Sequence, residues 1–184
     1  MLNRIFLWMA FLIVLLLALG GCASQPLPER HSYLLRVPAA PASHANENWN
    51  GIKRLTVPSY MESQQMMIMV SANEVKPVRL HSWGESPKEG IKRYLNSRLD
   101  SKMSSSELTD QSFADIEITE FLGTVDGTVR LRADYSVVSG SSNSGKRAFD
   151  MTVTQRTDGY IGLVDAHTKL LDLLADSVSQ SVPR

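Results

Sequence analysis

The chain holds a single cysteine, Cys22, in the stretch LALGGCASQPLP from Leu17 to Pro28. A lone thiol there could act as a nucleophile, as half of an intermolecular disulfide, as a metal ligand or as a point of attachment. It cannot form a disulfide within its own chain. A reactive thiol needs a specific electropositive setting, and no folded domain precedes Cys22 to shape one. Four histidines, His31, His44, His81 and His167, are scattered without the short-range pairing of a zinc site, so no metal is expected. GSSNSGKR, Gly140 to Arg147, approaches the phosphate-binding loop G-x-x-x-x-G-K-[ST]. Arg147 stands where the magnesium-binding hydroxyl is needed, and the segment that follows alternates like a strand rather than opening a helix. It reads as a Ser/Gly hairpin loop. Met61, Met66, Met67 and Met69 form a cluster with three readings: soft thioether ligands for copper, a pliable apolar contact for lipid or a partner helix, or core filling. Core filling is the plainest. No G-x-S-x-G elbow is present, carboxylates form no distinctive pair, and His167 reads as a boundary or capping residue. The sequence offers no positive argument for an enzyme.

The setting of Cys22 favours attachment. Arg4 is the only charged residue before Glu29, and the apolar run Ile5 to Leu19 behind it has the layout of a secretory signal. That run is short for a membrane span, which needs roughly 20 apolar residues; an uncleaved inner-membrane anchor is the alternative. Leu19-Gly20-Gly21-Cys22 resembles the bacterial lipobox, in which a protease cuts between Gly21 and Cys22. The resemblance implies a diacylglyceryl thioether on Cys22 and an acyl chain, palmitate-like, on its new amino group, with no other cofactor. More than one chain is what stable anchoring requires. Ala23 follows the cysteine rather than Asp, which by resemblance to sorted lipoproteins implies release to the outer membrane, with the body facing the periplasm.

The whole chain balances 19 Lys+Arg against 19 Asp+Glu. That argues against a nucleic-acid partner, which selects for a basic face. We expect residues 1–21 to be a signal peptide, 22–48 a lipidated Pro/Ala-rich linker containing a short first strand, and 49–182 one domain of a length that supports a sizeable core.

The elements that would position any site follow from periodicity. SYLLRV (Ser32 to Val37), GIKRLTV ending at Pro58, MMIMV (Met66 to Val70) and VKPVRLH (Val75 to His81) read as strands, the apolar run MMIMV as a buried one. Pro77 confines the last to an edge or bulge. Ser86 and Glu89 match a capping box, with Pro87 at the first helical position. Ile91, Leu95, Leu99 and Met103, with Tyr94, then give an amphipathic stripe. FADIEITEFLG is a strand in which strict alternation would turn Glu120 inward, so either the strand ends there or a bulge shifts its phase. Val129, Leu131, Ala133, Tyr135 and Val137 alternate with polar residues after a turn at Asp126-Gly127, as in a half-solvated antiparallel strand. KRAFDMTVTQ returns as its hairpin partner. A closing helix follows Asp158-Gly159, its stripe Val164, Leu171, Leu174 and Val178 widened by Leu163, Leu170 and Leu173. The expected fold is α+β: a largely antiparallel sheet with two amphipathic helices packed on it, in a single domain.

Five segments in order, SYLL after the lipobox, LTVPSYM (Leu55 to Met61), SWGESP (Ser82 to Pro87), ITEFLGTVDGTV (Ile118 to Val129) and TQRTDGY (Thr154 to Tyr160), together resemble the ABC-type transport auxiliary lipoproteins, the PqiC-like family. The resemblance spans Ser32 to about Val182. The Ser-rich hairpin loop and the linker match none of these motifs. The matching positions are Pro58, Tyr60, Trp83, Glu120, Phe121, Asp126, Gly127, Asp158, Gly159 and Tyr160. The resemblance implies a non-catalytic lipoprotein of an intermembrane phospholipid transport system, docking an MCE-domain tunnel protein at the outer membrane. A homo-oligomeric ring would suit an annular tunnel by analogy. Tyr60, Met66, Met67 and Trp83 are the candidate contacts for partner or lipid. A lipid carrier, with a cavity between sheet and helices lined by Met66, Met67 and Leu171, is the alternative.

Overall fold

The structure, a computed structural model, describes residues 8–9, 27–37, 46–103 and 108–183. The cleavage position Gly21, the lipidation position Cys22, His44 and much of the linker lie outside the described residues.

Two long strands form the spine. β5 (Ser112–Thr124) and β6 (Thr128–Ser139) pair antiparallel along most of their length. Gly127 closes the turn between them at φ +78°, and the Gln155 side chain occupies the space a Cβ would need. Val129, Leu131, Ala133, Tyr135 and Val137 are buried, as the alternation predicts. In β5 the register slips between Ile118 and Glu120. This is the bulge that the inward phase of Glu120 required. It leaves Glu120 half-exposed and returns Phe121 and Leu122 to the interior.

The other strands fill the flanks. β2 (Trp49–Thr56) and β3 (Gln65–Ser71) both run parallel to β5 on its second edge, β2 along its first half and β3 at its end. β4 (Glu74–Trp83) pairs antiparallel with β3, and β1 (His31–Tyr33) lies parallel on the end of β4. On the far side, β7 (Ser142–Asn143) and β8 (Arg147–Thr154) pair with β6. The loop that approaches a phosphate-binding motif leads into β8, a strand. The result is a mostly antiparallel eight-stranded open sheet.

Helices α1 (Pro87–Met103) and α2 (Gly159–Ser179) contribute to one apolar cluster with the sheet. All five residues of the α1 stripe, Ile91, Tyr94, Leu95, Leu99 and Met103, are fully buried. The helices run parallel: Arg98 pairs with Asp172 at 2.7 Å, and one turn on Lys102 pairs with Asp176. The opposite face of the sheet stays polar, with Arg54–Asp115, Lys146–Asp134 and Arg130–Asp150 ion pairs laid across it. Such solvated pairs add little stability, about 0–1 kcal/mol each.

Two strands differ from expectation. The first is regular only over His31–Tyr33, because Leu35 turns away into the core and the Leu35 carbonyl accepts from Arg93 instead of a strand. In β3 only Met66 is buried; Met67 to Val70 are half-exposed, because β3 meets β5 only at its end.

Candidate docking site

The site begins with a gap in the sheet. β2 leaves β5 after the pair Thr56–Glu117, and β3 joins it only at Ile68–Gly123. Between them a short 3-10 helix, Ser59–Met61, begins after Pro58 and brings Tyr60 to the uncovered edge. The Phe121 N–H donates to the Tyr60 hydroxyl at 3.1 Å. Burial raises the Tyr60 phenol above its ordinary pKa; the Phe121 bond opposes this and the Glu120 charge adds to it.

Around this gap the four candidate contacts converge. Tyr60, Met66, Met67 and Trp83 line one apolar depression with Phe121 and His167. Met66 is buried, while Tyr60, Met67 and Trp83 present partial surface. The depression is shallow, with free space of about 20 Å³. That is about one water probe, whereas small-molecule pockets run to about 300–1,000 Å³. Leu171 is fully buried in the packed interior and lines no cavity here. A larger open depression, about 460 Å³, lies on the polar sheet face between Arg54, Glu117, Asp134 and Lys146, and ion pairs already occupy these charges.

His167 corrects the sequence reading. It is no boundary residue: it sits mid-helix in α2, 6% exposed, its Nδ1–H donating to the Leu163 carbonyl at 2.8 Å. Its ring lies 4.7 Å from Phe121 and 5.6 Å edge-on from Trp83. Burial outweighs the Leu163 bond and lowers its pKa to about 4, so the ring is neutral at ordinary pH. Its position one turn after Leu163 and one before Leu170 and Leu171 places it on the apolar stripe, a signal available in the sequence.

Sequence spacing missed a second cluster. His81 stacks on His31 (5.2 Å), Tyr33 (5.8 Å) and Tyr160 (3.8 Å), and shares a 2.9 Å hydrogen bond with the Tyr33 hydroxyl through Nδ1. Partial burial and then the neighbouring His31 lower the His81 pKa. The cluster ties the incoming N-terminal segment to β4 and to the first turn of α2. Among the described residues no group of three or more His, Cys, Asp or Glu is placed to hold a metal ion. No helix among them is long and apolar enough to cross a membrane.

Residues 33–179 match the family model described as the ABC-type transport auxiliary lipoprotein component. Two solved structures share the fold. One, titled only as an uncharacterized protein, superposes with a TM-score of 0.68 at 17% identity, covering 83% of this chain and 98% of that one. Protein XCC0632 from Xanthomonas campestris gives 0.59 at 10% identity, covering 80% and 90%. No curated protein matches the chain.

Proposed function

The chain belongs to the ABC-type transport auxiliary lipoproteins, and from that premise we propose that it is the lipid-anchored outer-membrane component of an intermembrane phospholipid transport system. In this reading Cys22 carries the diacylglyceryl and N-acyl chains, the domain faces the periplasm, and it receives the tip of an MCE-domain tunnel protein. Its part is positional rather than catalytic: the anchor fixes the domain at the membrane and the domain fixes the partner. A ring of copies would match an annular tunnel end.

The observation that carries this reading is the family match across nearly the whole folded domain. The depression around Tyr60, Met67 and Trp83 supports it as the place for a partner side chain. Its aromatic and methionine lining is the composition enriched in protein interfaces. The carrier alternative finds no support there, because free space of about 20 Å³ holds no acyl chain.

Crosslinking in cells tests the proposal. A photoreactive residue in place of Met67 or Trp83 should capture an MCE-domain protein, and one in place of Ser136 on the polar sheet face should not. Capture of the same partner only from Ser136 would move the docking face; absence of any MCE-domain partner from all three positions would overturn the proposal.

A further inference from the structure

We infer that the end of the domain formed by the β5–β6 turn and the first turn of α2 rests on the lipid surface in which the Cys22 anchor sits. The inference rests on the anchoring reading and adds an orientation to it.

Three observations carry it. The first is where the tether enters. β1 is held on β4 by its ladder, by the Gly84 N–H donating to the Tyr33 carbonyl at 2.7 Å, and by the ring stack on His81. The segment 31–37 is therefore part of the domain, and a tether from Cys22 reaches it through residues 23–30. Fully extended, that stretch spans at most about 30 Å, about the length of α2 itself at 1.5 Å per residue. That bounds the entry point to within about 30 Å of the membrane.

The second is what surrounds the entry. His31 stacks on His81, and His81 on Tyr160 at the start of α2. Tyr160 and Val125 line a common open depression beside the β5–β6 turn. The entry point, the hairpin turn and the α2 start thus form one end of the molecule. By its register with α1, Arg98 on Asp172, the start of α2 lies level with the start of α1, so both helices begin at this end.

The third is what that end exposes. Val125 is 69% and Ile161 68% exposed, and Leu80, next to His81, stands at φ +68° with its side chain partly in water. A bulky residue in the left-handed region is strained. Leu27, on the tether, is 93% exposed. Apolar side chains at the point nearest an acylated cysteine fit a lipid surface. The local charges are of both signs, Asp126 and Asp158 against Arg156. With no net positive charge among them, contact with the headgroup layer rests on the apolar side chains rather than on attraction to anionic lipid, with weak dependence on salt.

The test uses the full lipidated chain in vesicles of phosphatidylethanolamine and phosphatidylglycerol. Cys22 is the only native cysteine and is consumed by the lipid, so a nitroxide on Val125→Cys, Ile161→Cys or Ser136→Cys labels one site. Labels at 125 and 161 should be relaxed more by lipid-dissolved oxygen than by an aqueous nickel chelate, with the order reversed at 136. Flotation of the same samples separates the two readings. Chains that float while all three labels face water overturn the orientation alone. Chains that fail to float overturn the anchoring and the orientation with it.

Discussion

The hydroxyl of Tyr60 stands in for a missing strand: it accepts the Phe121 N–H at 3.1 Å at the point on β5 where β2 has ended and β3 has not begun. Phe121 is 3% exposed, so its N–H has no ready solvent partner if the hydroxyl is removed. Tyr60→Phe should therefore cost about 1–3 kcal/mol, the range for a buried donor left unsatisfied. Urea denaturation checks this, with the midpoint falling and the slope unchanged. A loss below about 0.5 kcal/mol would show that water reaches Phe121.

His167 should make stability depend on pH. Its folded pKa, about 4, lies below the 6.5 of a free histidine. Between these values the unfolded chain binds more protons than the folded one, so stability rises with pH across about 4 to 6.5 and is level above it. Full protonation at the bottom of the window removes about 3 kcal/mol. His167→Leu should reduce this slope, leaving the contribution of His81, whose pKa is lowered too, and the carboxylate losses below pH 4. Denaturation midpoints at pH 4.5 and 7.5 for both proteins measure it; equal slopes would refute the assignment.

Asp172 clasps the two helices. It accepts from the Tyr94 hydroxyl at 2.9 Å and pairs with Arg98 at 2.7 Å. Burial, then the Asp172 bond and charge, push the Tyr94 phenol well above its ordinary pKa. Asp172→Ala should cost about 1.5–3 kcal/mol, as for hydrogen bonds to a charged group. Asp172→Asn should recover part of that by keeping an acceptor for Tyr94. Thermal denaturation of both variants distinguishes the clasp from simple packing, which the asparagine would leave unaltered.

Replacing residues 1–22 by a secretory signal that lacks a lipobox cysteine should release the domain from membranes without changing its unfolding temperature. Fractionation of cells together with a melting curve provides the readout. Persistent attachment would mean that the folded domain, rather than a lipid on Cys22, holds the membrane.

Much of the fold was legible because its signals are periodic and local. The α1 start at Pro87, its buried stripe and the alternation of β6 rest on side-chain spacing within one element. The conflict over Glu120 was also legible: alternation demanded an inward carboxylate, and a bulge resolved it. What spacing could not reveal is which residues from distant segments share a place. Tyr60 and Phe121 lie far apart in the chain, and only the staggered pairing of β2 and β3 on β5 joins them. The His31–His81 stack depends likewise on β1 returning to the end of β4.

Local signals were enough for the α+β class, both helices, the central hairpin and the resemblance that the family match bears out, because hydrophobic period, the helix-opening Pro87 and turn glycines act over a few residues. The three-dimensional packing was needed to show that His31 begins the domain and cuts the tether short, and that Tyr60 closes a gap in the sheet. Each of these depends on the registers of strands that meet across long sequence separations. Those registers are set by collective burial of the core, which no single segment encodes.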